Sequence, residues 1–225
     1  MNSPSSESPS SRKCLALFGG TFNPVHFGHL RMALELKELL GFDEMRLLPS
    51  HQPAHRAEPG VSAGARRDML ALALEHCPAL LLDERELQRA GPTYTVDTLE
   101  ELRAELGSEV SISFCMGLDS LLGLPGWHRW ERLIQLAHLV VVTRPGWQIP
   151  RDGEVAELLA RHRADAAELK RKPAGCILLR EQTLLPISAT GIRSLIASGR
   201  SPQYLLPERV FDYIQTHQLY KSEKQ

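Results

Sequence analysis

The sequence predicts an α/β fold: a Rossmann-like open parallel sheet with helices on both faces. Three observations carry that prediction. Short apolar runs alternate with amphipathic stretches along the chain, which is the pattern of βα units and not of an all-β or all-α protein. The first run, Leu15-Ala16-Leu17-Phe18, ends in Gly19-Gly20 and feeds almost directly into a helical pattern at Leu30-Arg31-Met32-Ala33-Leu34. With 43% hydrophobic and 24% charged residues among 225, there is apolar material for a real core. Strands are expected at 14–18, 45–49, 80–82, 111–116, 139–143 and 176–180, and helices at 28–40, 63–76, 96–106, 130–136 and 152–170. No internal repeat or interdomain linker interrupts this, so residues 13–225 are expected to form one domain.

Bulk properties exclude several classes. The net charge is −1 with no cationic block, so no nucleic-acid footprint is expected. No run reaches the roughly 20 apolar residues of a membrane span. Residues 1–12 are rich in Ser and Pro without an apolar segment, which predicts a disordered tail and not a secretion signal. Cys14, Cys77, Cys115 and Cys176 are scattered, which argues against a zinc site and for a reducing, cytoplasmic setting. Cys14, Cys115 and Cys176 lie in apolar runs and are expected in the core. A homo-oligomer is left open.

In an open α/β sheet, ligands collect at the carboxyl ends of the strands, so functional residues are sought there. After the first strand comes Gly19-Gly20-Thr21-Phe22-Asn23-Pro24-Val25-His26-Phe27-Gly28-His29. Glycines let a backbone approach an anion, and helix N-terminal amides attract one. His26 and His29 are three apart, so they share a face, can donate to phosphate oxygens, and would be cationic near neutral pH. The plainer alternative is a loop with two exposed helix histidines. Residues 47–56, with two prolines, form a loop where His55 and Arg56 are either phosphate contacts or solvated surface. Pro92-Thr93-Tyr94-Thr95 opens a helix, with Thr93 or Thr95 as its expected N-cap. Gly117 and Asp119 end the fourth strand, where Asp119 either accepts from ribose hydroxyls or caps a helix. In Leu124-Pro125-Gly126-Trp127-His128-Arg129-Trp130, Trp130 is expected in the core, and loop Trp127 offers a flat ring for stacking. Arg144 closes the fifth strand as a phosphate or adenine contact. The charges of the 152–170 helix are a solvated face. Ser188 is an expected N-cap, and Thr190 and Arg193, on one face of that helix start, make a second anion site or simply a structural turn. Pro207 opens a closing helix that runs towards Tyr220.

The string GGTFNPVHFGH resembles the signature of the nucleotidylyltransferase superfamily, whose His-x-Gly-His element binds a nucleoside triphosphate, and Ile187-Ser188-Ala189-Thr190-Gly191-Ile192-Arg193 is similar to its second signature. Within it the chain most resembles the bacterial nicotinate-nucleotide adenylyltransferases, over about residues 15–220. The resemblance implies that Gly19, Gly20, Thr21, Phe22, His26, His29, Gly117, Asp119, Arg144, Ser188, Thr190 and Arg193 meet ATP. It implies that Thr21, His55, Arg56, Tyr94, Thr95, Trp127 and His128 meet the pyridine nucleotide. Three positions depart from the family pattern: Ala54 stands for a proline, Arg56 for a lysine, and His128 for a tyrosine.

No G-x-x-x-x-G-K-[ST], G-x-S-x-G or H-E-x-x-H motif occurs, which sets aside P-loop kinases and the usual hydrolases. What remains suits positioning and charge stabilisation. The resemblance implies attack by the phosphate of nicotinate mononucleotide on the α-phosphorus of ATP, giving nicotinate adenine dinucleotide and pyrophosphate in NAD biosynthesis. His26, His29 and Arg193 are the catalytic candidates. Mg²⁺ is expected with the triphosphate and not in a protein cage. Two rivals stay open. One is the same chemistry on another acceptor, such as nicotinamide mononucleotide, phosphopantetheine or glycerol phosphate; the other is a non-catalytic nucleotide-binding module.

Overall fold

Alternation along the first strand, β1 (Cys14–Gly20), sets out the architecture. Cys14, Ala16 and Phe18 face one apolar cluster, and Leu15 and Leu17 face another, as the period of two requires. The structure is a computed structural model that describes residues 12–51, 60–143, 148–182 and 185–221.

β1 is joined by β2 (Glu44–Pro49), β3 (Leu80–Leu82), β4 (Ser111–Gly117), β5 (His138–Thr143) and β6 (Ile177–Glu181) in one sheet of order β3-β2-β1-β4-β5-β6. Every pairing is parallel; Gly20 lies opposite Pro49 on one side of β1, and Phe18 opposite Cys115 on the other. The chain builds outwards from β1 through β2 to β3, then crosses back to β4. That reversal leaves a crevice beyond the carboxyl ends of β1 and β4, where a ligand finds room.

One face of the sheet is covered by α1 (Phe27–Leu40), α2 (Ala63–Leu74), α8 (Ala189–Ala197) and α9 (Glu208–Thr216). They bury Leu36, Met69, Leu70, Ile192, Val210 and Ile214 there. The other face is covered by α3 (Thr95–Leu106), α5 (Trp130–Leu136) and α6 (Gly153–His162), through Leu99, Leu102, Leu133, Leu136 and Leu158. Two short helices complete the set, α4 (Leu118–Leu122) after β4 and α7 (Ala166–Arg171) before β6. No described helix is long and apolar enough to cross a membrane.

The structure corrects the expected elements at a few points. The single helix expected at 152–170 is two helices. Between them Arg163 pairs with Ile177, and Asp165 Oδ1 accepts from the amides of Ala167 and Glu168 at 2.9 and 3.0 Å, capping α7. The closing helix stops at Thr216; Gln218 and Tyr220 then take left-handed φ of 53° and 63°, turning the chain back towards the sheet. Neither Thr93 nor Thr95 caps α3, whose N-cap is Tyr94 with no side-chain bond. Trp130 begins α5 but is only half-buried. Cys14, Cys115 and Cys176 are buried, and all four cysteines are free. Arg12, at the boundary of the expected tail, bonds Glu109 through its carboxylate at 3.0 Å.

His138, fully buried at the start of β5, shows how a polar side chain is accommodated inside. Its Nδ1 accepts from the amide of Cys176 at 3.1 Å. The proton is therefore on Nε2, which donates to the Lys172 carbonyl at 2.9 Å. Burial pushes its pKa down, and the neutral form satisfies both ring nitrogens.

Candidate active site

At the end of β1 the glycines make room for rings. A Cβ on Gly19 would lie 3.1 Å from the Phe114 ring, and one on Gly20 3.0 Å from the Phe22 ring. Phe22 is buried, with φ of 47°, and packs edge-on against Phe18 and His29. The loop then reaches His26, the N-cap of α1, whose carbonyl accepts from the amides of His29 and Leu30 at 2.9 and 3.2 Å. The two imidazoles stack, 3.7 Å between centroids and 22° between planes. Gly28 permits this, because a Cβ there would sit 3.0 Å from His26 Nδ1.

Nδ1 of His26 and Nδ1 of His29 are buried without a hydrogen-bond partner among the described residues. Such atoms are costly unless something meets them. The expectation of cationic histidines is corrected here. Burial lowers the pKa of His26 to about 4, and burial together with the charge of His26 lowers that of His29 to about 3. In the free protein both rings are neutral at pH 7, so each brings a hydrogen-bond donor and not a fixed charge.

The second loop closes on the first. Ser188 caps α8, its Oγ accepting from the Gly191 amide at 3.1 Å. Arg193, one turn in, donates from Nη2 to Thr190 Oγ1 at 3.2 Å and from Nη1 to the carbonyl of Asn23 at 2.7 Å, across 170 positions of sequence. The N-termini of α1 and α8 thus open on one crevice, each with first-turn amides that have no intrahelical acceptor.

That crevice, of about 940 Å³, runs from Thr190 and Arg193 past the end of β4 to Tyr94, Trp127 and His128. Such a volume suits a ligand buried over most of its surface. At its middle Asp119, in the first turn of α4, folds its carboxylate back over Gly117. At its far end Tyr94 and Thr95 stand at the N-terminus of α3, and Tyr94 meets the exposed His128 ring at 4.6 Å. Trp127 is half-buried, edge-on to Phe114 at 6.3 Å. Arg129, in the left-handed region at φ 51°, pairs with Glu100 and, at 3.6 Å, with Asp97 of α3. One wall of this end is thereby tied to the other. Ser50, after β2, also lines the crevice, its Oγ buried and unpartnered among the described residues.

Of the residues predicted from the sequence, Gly19, Gly20, Thr21, Phe22, His26, His29, Gly117, Asp119, Ser188, Thr190, Arg193, Tyr94, Thr95, Trp127 and His128 all line this crevice. His55, Arg56 and Arg144 lie outside the described residues. Sequence reasoning missed Glu86, a buried carboxylate at the far end that accepts from Thr98 Oγ1 at 2.8 Å and whose pKa burial raises. It also missed Arg66 and Tyr220, which hold the first loop from behind. Arg66 was within reach, since it shares the apolar stripe of Met69, Leu70 and Leu74 on α2. Among the described residues no group of three or more His, Cys, Asp or Glu is placed to hold a metal ion.

Three comparisons bear on this geometry. The family model described as cytidylyltransferase-like matches residues 17–195. The chain is 56% identical over 210 residues to a probable nicotinate-nucleotide adenylyltransferase of Cellvibrio japonicus, covering 93% of this chain and all of that protein. It is 51% identical to the protein of the same name from Aeromonas hydrophila, covering 92% of this chain and 97% of that one. In fold it is similar to Plasmodium falciparum nicotinic acid mononucleotide adenylyltransferase complexed with NaAD, with a TM-score of 0.70 at 18% identity over 93% of this chain and 98% of the other.

Proposed function

We infer the reaction from one premise: the chain belongs to the cytidylyltransferase-like family and, within it, to the nicotinate-nucleotide adenylyltransferases. It transfers the adenylyl group of ATP to nicotinate mononucleotide, releasing pyrophosphate and forming nicotinate adenine dinucleotide. The observation that carries this reading is the 2.7 Å bond from Arg193 to Asn23, which joins the two phosphate-type loops at one end of a crevice. An aromatic pocket stands at the other end of the same crevice.

The acceptor phosphate oxygen attacks the α-phosphorus of ATP, and the bond from that phosphorus to the oxygen bridging the β-phosphate breaks. The nucleophile is already anionic, so no protein base has to remove a proton. Catalysis then consists of holding two anions in line and meeting the charge that shifts onto the leaving pyrophosphate. His26, buried, and His29, half-buried, are both neutral and donate to the transferring phosphate. Ser188, Thr190, the first amides of α8 and the N–H groups of Arg193 not engaged with Asn23 or Thr190 receive the β- and γ-phosphates. Asp119 accepts from the ribose hydroxyls beside Gly117. Trp127 and His128 flank the pyridine ring, and the N-terminus of α3 at Tyr94 and Thr95 faces its carboxylate. His55, Arg56 and Arg144 complete the anion-binding set in this reading. The two loops grip the triphosphate of ATP, and Mg²⁺ accompanying that substrate would offset its negative charge without a protein cage. The four free cysteines suit a cytoplasmic setting, and residues 13–225 act as one domain.

The test is a pyrophosphate-release assay with ATP, Mg²⁺ and a panel of acceptors. Nicotinate mononucleotide is expected to give the highest kcat/KM, above nicotinamide mononucleotide, phosphopantetheine and glycerol phosphate. A higher value for any other acceptor overturns the assignment of substrate, and ATP binding without turnover on any acceptor overturns the assignment of enzyme.

A further inference from the structure

Arg66 is wholly buried in α2, on the apolar side of the helix beside Met69 and Leu70. A guanidinium there is expensive to bury, and no ion pair with a carboxylate compensates it among the described residues. It is instead bonded to two backbone carbonyls: Nη1 donates to Thr21 at 2.8 Å and Nη2 to His51 at 2.7 Å. Thr21 follows β1 and lies in the loop that leads to His26; His51 follows β2, whose last residue is Pro49. A rigid planar fork fixes the spacing of two acceptors, which a lysine ammonium on its flexible stem does not.

The same loop is gripped from two further directions. Tyr220, brought back by the left-handed turns after α9, donates its hydroxyl to Asn23 Oδ1 at 2.5 Å. Arg193 holds the Asn23 carbonyl. Three side chains from α2, α8 and the C-terminal segment therefore fasten Thr21 and Asn23, the residues on either side of Phe22 in the run Thr21-Phe22-Asn23. The middle one has a left-handed φ that side chains rarely adopt without such support.

We propose that Arg66 and Tyr220 are positioning residues for adenylyl transfer: Arg66 locks the donor-phosphate loop after β1 to the segment after β2, Tyr220 fixes that same loop at Asn23, and together they set where the donor phosphates stand for in-line attack. This rests on the reaction proposed above. Neither side chain is among the residues lining the crevice, so both act through the loop and not on substrate. Small displacements of reacting groups are costly in rate, whereas the binding of each substrate alone tolerates them better.

The experiment compares the full-length wild type with Arg66→Lys, Tyr220→Phe and the double variant. Steady-state kinetics with ATP and nicotinate mononucleotide are taken well below the unfolding midpoint, with the folded fraction determined by near-ultraviolet circular dichroism. Arg66→Lys is expected to lower kcat per folded molecule about 10- to 100-fold, with both KM values within about threefold. Tyr220→Phe is expected to lower kcat about three- to tenfold, and the double variant by less than the product of the two, because both act on one loop. A lowered Tm with kcat per folded molecule within about twofold of wild type means a merely structural role and overturns the proposal. If Arg66→Lys does not fold, Tyr220→Phe decides by the same criterion. Wild-type protein without turnover instead removes the proposed reaction, and this inference with it.

Discussion

The two ends of the crevice are built by different physics. At the donor end, the loop from Gly19 to His29 is held by buried or half-buried hydrogen bonds from Arg66, Arg193 and Tyr220, and its imidazoles are neutral and stacked. At the acceptor end, Trp127 is half-buried and His128 exposed, and their loop is tied to α3 by the ion pairs of the exposed Arg129. A polyphosphate whose charge shifts during reaction needs donors that do not reorganise. A pyridine ring needs mainly a flat face and an oriented dipole. The first demand selects a site set into the sheet; the second is met by loops that surface charges hold in place.

This contrast predicts the largest loss at the donor end. His29→Ala should lower kcat about 10²–10³-fold, the usual cost of one transition-state donor, while circular dichroism shows the fold retained. Turnover within tenfold of wild type would mean that the buried pair is structural and the contrast false.

The next effect is on stability against acid. An unfolded histidine titrates near pH 6.5, whereas His26 and His29 fold with pKa values of about 4 and about 3. Between roughly pH 6.5 and 4 the unfolded chain therefore binds more protons than the folded one, so stability is full above that window and falls as pH falls through it. His138, also lowered by burial, acts in the same direction. Urea unfolding of the free protein at pH 7, 6 and 5 should show the decline, and His26→Asn should flatten part of it. A profile equally flat in wild type and variant would mean that the imidazoles are charged when folded.

Much of this was legible in the chain, and the exceptions have causes. The six strands were visible because parallel strands covered on both faces are near-continuous apolar runs. The strand-end rule pointed to the segments after β1 and β4, whereas Tyr94 and Ser188 to Arg193 stood out as helix starts and Trp127 as an aromatic in a loop. The break between α6 and α7 was hidden because Arg163-Ala164-Asp165 continues an Ala-and-charge pattern that suits a helix, and only pairing to Ile177 makes Asp165 a cap. The charge state of His26 and His29 was not legible at all, since it depends on packing against residues such as Phe22. Tyr220 was out of reach for a related reason. Its bond to Asn23 spans 197 positions and depends on two left-handed residues that no local pattern announces. Arg66 is the case where the pattern was sufficient, because an arginine on an apolar helical stripe with Met69, Leu70 and Leu74 is buried wherever the stripe is.

At the acceptor end the effects should be smaller and confined to one substrate. Trp127→Ala removes a stacking face and part of the wall against Phe114. It should raise KM for nicotinate mononucleotide about tenfold, an aromatic contact's typical worth, and leave KM for ATP within about twofold. An equal rise in both would mean that the ring supports the whole crevice and that its two ends are not separable.

The smallest effect, and the one that discriminates best, is at Arg129. Its guanidinium reaches Glu100 and Asp97 from the residue that follows His128, so it sets how the aromatic loop meets α3 without lining the crevice itself. Exposed pairs are weak and screened by salt. Arg129→Ala should therefore raise KM for nicotinate mononucleotide only about two- to threefold at low ionic strength. The difference from wild type should vanish near 1 M salt, where the Debye length is about 3 Å. His29→Ala, whose loss comes from a buried donor, should keep its deficit at both salt concentrations. If the Arg129 deficit survives high salt, packing and not charge holds the acceptor wall, and the two ends are built alike after all.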